Sequence, residues 1–156
     1  MKIIPYGHQW VDQDDIDAVT GVLKSDWLTQ GPKVAEFENK VAGYCKAKYA
    51  VALNSGTAAL HAACFAAGIK RGDEVVTTPL SFLATANCVV YQQARPVFAD
   101  ITLETFNIDP EQVRKKIRRK TKAIIAVHFA GSPCDLGNIL KIAAKHNLLL
   151  IEDAAH

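Results

Sequence analysis

From Tyr49 onward, short apolar runs alternate with longer segments of helical spacing. YAVAL (49–53), EVVTT (74–78), PVFA (96–99), AIIAV (123–127) and LLLI (148–151) each have the length and apolar density of a buried strand. Between them, Thr57–Ala67, Ser81–Gln93, the segment from Asp109-Pro110 to about Arg119, and Leu136–His146 read as helices. Ahead of this pattern, Asp12–Ser25 places Ile16, Val19, Val22 and Leu23 on one helical face. A second helix from Pro32 to Cys45 is expected to bury Val34, Phe37, Val41 and Tyr44. Pro32 and Pro110 suit first helical positions, Asp109 suits an N-cap, and Pro79 stops its strand. Strands alternating with helices predict a three-layer α/β/α fold with a mostly parallel sheet and right-handed crossovers. No repeat, low-complexity tract or linker interrupts the 156 residues, so one domain is expected.

Composition narrows the class of partner. The chain is 49% hydrophobic with a formal net charge of +2, which points to a globular protein and away from nucleic acid or a membrane. The basic run Arg114 to Lys122 reads as a solvated helix end. Cys45, Cys64, Cys88 and Cys134 form no C-x-x-C pair, and Cys64 and Cys88 read as small buried hydrophobes in a reducing compartment. No metal site is expected, since His and Cys lack ligand spacing. MKIIPYGHQ has no signal-like apolar region, so a cytoplasmic protein is expected.

In open α/β sheets, ligands bind outside the carboxyl ends of the strands. The residues found there are Asn54-Ser55-Gly56-Thr57, Pro79 to Phe82, Asp100, His128 and Glu152-Asp153. The first group is a strand-to-helix junction with free backbone N–H groups, suited to a phosphate. Taken alone, it reads first as an ordinary helix capped by Ser55. Phe82 fits either core packing or a platform for a flat ring. Asp153 fits either a helix N-cap or the partner of a protonated pyridinium nitrogen. His128 is expected to satisfy local backbone; His61 reads as packing, Asp100 as a turn residue, and His8 and His146 as surface. The G-x-S-x-G, G-x-G-x-x-G and G-x-x-x-x-G-K-[ST] motifs are absent.

NSGTAAL, TTPLSFLATAN, FADITLETFNIDP, KAIIAVHFAG and IEDAAH, together with WLTQGPKVAEFE, resemble the pyridoxal-phosphate sugar aminotransferases of the DegT/DnrJ/EryC1/StrS type, in the same order. MKIIPYGHQWVD and WLTQGP are most similar to the C4 aminotransferases of the pseudaminic acid pathway, which act on a UDP-linked 4-keto-6-deoxy sugar. The resemblance implies the N-terminal part (1–156) of a fold-type-I large domain, working as a homodimer with an amino-acid donor, glutamate. It implies Thr57 and Ala58 at the cofactor phosphate, with Ser55 and Gly56 shaping the turn. Phe82 would stack on the pyridine ring, Asp153 would pair with the ring nitrogen, and His156 would lie close to the cofactor. Tyr6, Thr29 and Gln30 would lie near the sugar. The lysine that holds the cofactor as a Schiff base is expected beyond residue 156, with the small C-terminal domain, so the isolated chain is expected to be inactive. Two rivals stay open: a sugar dehydratase of the same family with His at the lysine position, and a non-catalytic module that binds a phosphate ligand or dimerises.

Overall fold

The computed structural model describes residues 7–156, and Tyr6 lies outside them. By packing, the chain divides into two compact units, Met1–Ala52 and Leu53–His156.

The first unit carries α1 (Gln13–Leu23) and α2 (Pro32–Tyr44). Asp12 caps α1 through a capping box: its carboxylate accepts the Asp15 N–H at 3.2 Å, and Asp15 accepts the Asp12 N–H at 3.1 Å. Pro32 opens α2 at its first turn, after Gly31. Gly31 sits at φ 84°, and a Cβ there would meet Trp27 Cβ at 2.9 Å, so only glycine fits this bend. The amphipathic pattern is correct, yet neither helix contains a buried residue. Phe37 and Tyr44, expected inside, are exposed, Tyr44 to 92%. Two helices offer too little surface to each other to cover both apolar faces. Lys33 and Lys40 hold the Glu36 carboxylate down at about 2, but this exposed cluster adds little stability.

The second unit is a four-stranded, all-parallel sheet in the order β2-β1-β3-β4, with β1 Glu74–Thr77, β2 Arg95–Phe98, β3 Thr121–Val127 and β4 Leu149–Asp153. Side chains alternate between two cores, as the strand period of two requires. Val75, Ala123 and Ile125 pack with Leu60 and Cys64 of α3 (Gly56–Ala66) and with Ala84, Cys88 and Val89 of α4 (Leu83–Tyr91). Val76, Ile124 and Ala126 pack with Val113 of α5 (Pro110–Lys116) and with Ile139, Ile142 and Ala143 of α6 (Leu136–His146). The three-layer expectation is therefore met. Cys64 and Cys88 are fully buried, their sulfurs 3.4 Å apart where α3 meets α4.

Two expectations miss by more than two residues. Residues 49–53 form no strand, and Tyr49 and Val51 are exposed. A strand needs a neighbour for its backbone groups, and among the described residues none pairs with this segment. Helix α5 ends at Lys116 rather than Arg119. The Arg118 guanidinium donates to the Lys115 and Ile117 carbonyls at 2.7 and 3.0 Å, closing the helix end, as a solvated basic terminus would.

Ile124 is fully buried at the centre of β3, whereas Leu140 on α6 is exposed. Ile124→Ala is expected to lower unfolding stability by about 2–5 kcal/mol. Leu140→Ala is expected to stay within about 0.5 kcal/mol. Urea denaturation of both variants checks this, and equal midpoints would contradict the assigned core.

Candidate active site

Strand β1 leads into α4 and on to β2 at one side of the sheet; β3 leads through α6 to β4 at the other. The crevice between their carboxyl ends is a topological switch point, where such folds bind ligands. A cleft of about 340 Å³ lies there, with walls from Gly56, Thr57, Leu60, Leu80, Ser81, Phe82, Ala84, Val127, His128, Phe129, Ala130, Asp153, Ala155 and His156. Five of the seven residues expected at a cofactor, Gly56, Thr57, Phe82, Asp153 and His156, are thus brought together.

Ser55 and Ala58 take a supporting place. Ser55 is the N-cap of α3, and its hydroxyl oxygen accepts the Ala58 N–H at 3.2 Å. That bond engages Ala58, leaving the Gly56 and Thr57 N–H groups as the donors without an intrahelical partner. A Cβ at Gly56 would meet only Ala155 Cβ, at 3.8 Å, so the protein itself does not demand glycine here. The space beside it opens to the cleft.

Phe82 is the N-cap of α4 and makes no side-chain cap bond. Ser, Thr, Asp or Asn is the usual choice at that position. The ring is 75% exposed at the cleft wall, so it is not core.

Asp153 closes β4 and is only 6% exposed. Register pairs it with Val127, and its carbonyl accepts the His128 N–H at 3.1 Å. Its Oδ2 accepts the Thr85 hydroxyl at 2.6 Å, and its Oδ1 has only the Ala155 N–H, at 3.4 Å. It is therefore a strand-end carboxylate facing the cleft and caps no helix.

His128 behaves as expected of a structural histidine. Nδ1 accepts the Cys134 N–H at 3.1 Å, which puts the ring proton on Nε2, directed at Glu152 Oε2 2.9 Å away. Burial, with the Glu152 charge nearby, pushes the Cys134 thiol up to about 11, and it remains a donor to the Val127 carbonyl at 2.8 Å. His61 packs edge-on against Tyr91. Asp100 accepts the Ile101 N–H beside it, a turn role.

Thr29 and Gln30 belong to the first unit, in the bend between α1 and α2, where Gln30 adopts φ 59°. Among the described residues, no group of His, Cys, Asp or Glu could hold a metal ion, and no helix is long and apolar enough to cross a membrane.

Sequence reasoning missed the support of the His128 loop. Asn107 is buried; its Nδ2 donates to the Ser132 and Pro133 carbonyls at 3.0 and 3.1 Å, and its Oδ1 accepts the Phe129 N–H at 2.9 Å. These bonds hold a loop in which Ala130, at φ 51°, takes a left-handed conformation unusual for a residue with a Cβ. The Thr/Asn/Asp-rich connection gave no cue, because an exposed turn asparagine looks the same in sequence.

The site has the features pyridoxal phosphate requires: free N–H donors at a helix start, an exposed aromatic face and a buried carboxylate. The comparisons agree. The model of the DegT/DnrJ/EryC1/StrS aminotransferase family matches residues 9–156. GDP-perosamine synthase of Caulobacter vibrioides is 44% identical over 146 residues, 93% of this chain and 39% of that protein. The structure of Helicobacter pylori PseC, an aminotransferase involved in pseudoaminic acid biosynthesis, superposes with a TM-score of 0.89 at 34% identity, over 97% of this chain and 41% of that one. The PLP form of the putative sugar aminotransferase Spr1654 from Streptococcus pneumoniae gives 0.91 at 30% identity, over 98% and 43%. The chain spans about two fifths of the length of the relatives it matches.

Asn107→Ala removes three hydrogen bonds from a buried site and is expected to cost about 2–4 kcal/mol. Amide exchange at Phe129 should accelerate in the variant; unchanged exchange would show that another contact holds the loop.

Proposed function

Because the chain belongs to the DegT/DnrJ/EryC1/StrS aminotransferase family, we propose that the intact protein uses pyridoxal phosphate to transfer an amino group to a nucleotide-linked 4-keto-6-deoxy sugar. The 156 residues are then the N-terminal part of its cofactor-binding large domain. The observation that carries the reading is the convergence in one cleft of the α3 N-terminus, the exposed Phe82 ring and the buried Asp153 carboxylate.

When bound, pyridoxal phosphate supplies an electron sink through which an amino group and a proton change places between two carbon skeletons. The residues of this chain bind and orient. The Gly56 and Thr57 N–H groups and the Thr57 hydroxyl take the phosphate, aided by the helix dipole. Ser55 fixes the turn, and its bond to Ala58 is the one an incoming phosphate can exchange for its own. Phe82 covers one face of the ring and excludes water from it. Asp153 would accept a hydrogen bond from the protonated ring nitrogen, which keeps that proton in place. His156 closes the end of the cleft beside Gly131.

Finer assignments follow the likeness of MKIIPYGHQWVD and WLTQGP. They are a UDP-linked substrate of pseudaminic acid biosynthesis, glutamate as donor, and Tyr6, Thr29 and Gln30 as residues that contact the sugar. We place the enzyme in the cytoplasm, where four free cysteines are at home. We read it as a homodimer; Phe65, Leu83 and Val90 on α3 and α4 offer exposed apolar surface for association. Among the described residues no lysine lines the cleft, and the 156 residues alone are proposed to give no turnover.

Asp153→Ala in the intact protein is expected to weaken cofactor binding and reduce transamination by roughly a hundredfold or more, the scale of removing a preorganised electrostatic partner. Wild-type binding and turnover in that variant would sink the assignment. Borohydride treatment of the loaded wild-type protein should fix the cofactor to a lysine; failure to do so would favour the dehydratase.

A further inference from the structure

We infer that Thr85 is a positioning residue for the Asp153 carboxylate, with Ser81 behind it. The inference rests on the cofactor reading above and asks what keeps the ring-nitrogen partner in place.

Thr85 is a polar residue in the apolar helix LATANCVVY, and it is 1% exposed. A threonine buried in a helix usually turns its hydroxyl back to a carbonyl three or four residues earlier. Thr85 instead reaches the end of β4, 68 residues away, and meets Asp153 Oδ2 at 2.6 Å. The Ser81 hydroxyl lies 2.6 Å from Thr85 Oγ1 on the other side.

The direction of the protons follows from the chemistry. An ionised carboxylate only accepts, and Thr85 has one hydroxyl proton, so Thr85 donates to Asp153. Its oxygen is then free to accept, and Ser81 donates to it. Both contacts have the short lengths of O–H bonds drawn toward an anion. Each hydroxyl dipole in the chain therefore points its positive end at Asp153.

This division leaves the two carboxylate oxygens unlike. Oδ2 is turned into the protein and engaged by a short bond from Thr85. Oδ1 has only the long Ala155 contact and remains the oxygen for an N–H donor in the cleft. A valine at position 85 would match the shape of threonine, but it would set a methyl group against Oδ2. The buried oxygen would then lose its partner, and the carboxylate would be free to rotate.

The test uses the intact apoprotein titrated with pyridoxal phosphate, with affinity and the visible circular dichroism of the bound cofactor as readouts. Thr85→Val is expected to raise the cofactor Kd roughly ten- to a hundredfold, the scale of one hydrogen bond to a charged group. Thr85→Ser, which keeps the hydroxyl, should restore wild-type affinity to within about threefold and recover the dichroism. In an Asp153→Asn background, Thr85→Val should add less than about threefold, because a residue that acts through Asp153 has nothing left to act on. Ser81→Ala should weaken binding by a smaller factor, and it keeps the relay testable if Thr85→Val does not fold. Wild-type affinity in both Thr85→Val and Ser81→Ala, with Asp153→Asn impaired, would overturn the inference and leave the proposed function standing. Equal, additive losses in the two backgrounds would reduce Thr85 to a packing residue and overturn it as well. Unaltered affinity in Asp153→Asn would instead remove the cofactor reading itself.

Discussion

The parallel pairing of β1 with β3 is the constraint on which the second unit depends. Both strands are buried on both faces, so each must send alternate side chains into a helix layer. Being parallel, they need crossovers, and α4 and α6 carry the chain away from them toward opposite edges of the sheet. The carboxyl ends of β1 and β3 are therefore left without a connection bridging them, and the cleft is what remains. Its walls come from segments distant in sequence because the sheet, rather than any local turn, brings them together.

Inside that cleft, the side chains with internal partners differ from those without. Asp153 is tied through Thr85, and His128 has one ring nitrogen on Cys134 and the other on Glu152. Asn107 fixes the backbone beside His128. Asp153 and Asn107 are buried and His128 is largely covered, so each would be costly if left unpaired. Their networks also explain why Ala130 can sit in a left-handed conformation: several hydrogen bonds around it over-determine the loop.

The sheet and its flanking helices were legible because their signals are local. Apolar runs of strand length marked β1 to β4, and the Asp109-Pro110 pair marked the start of α5 to the residue. The junction at Ser55 was legible for the same reason, since an N-cap is written in adjacent residues. The post-strand positions of Phe82 and Asp153 grouped them on one sheet edge in advance, and the family likeness of NSGTAAL, TTPLSFLATAN and IEDAAH then tied both to one cofactor. What escaped depends on partners far along the chain. YAVAL has a strand's composition, but a strand is made by its neighbour. Phe37 and Tyr44 have the right periodicity, but periodicity states which face is apolar, not what covers it. Thr85 and Asn107 look like ordinary polar residues until the fold brings Asp153 and the Phe129 loop to them.

The contrast between satisfied and unsatisfied groups says what kind of ligand the cleft is built to receive. Asp153 and His128 gain their order from the protein and need no ligand to hold position. The Gly56 and Thr57 N–H groups and the Phe82 ring gain nothing from the protein: the donors have no intrahelical acceptor, and the ring is three-quarters exposed. A ligand that is anionic at one end and flat and apolar at the other satisfies the second set without disturbing the first. Binding such a ligand costs little reorganisation, because the charged partner is already oriented, the open groups have no bonds to give up, and only the Ser55–Ala58 cap beside them can be exchanged. The opposite distribution, with a mobile carboxylate and a packed aromatic, would have to assemble the site at the moment of binding.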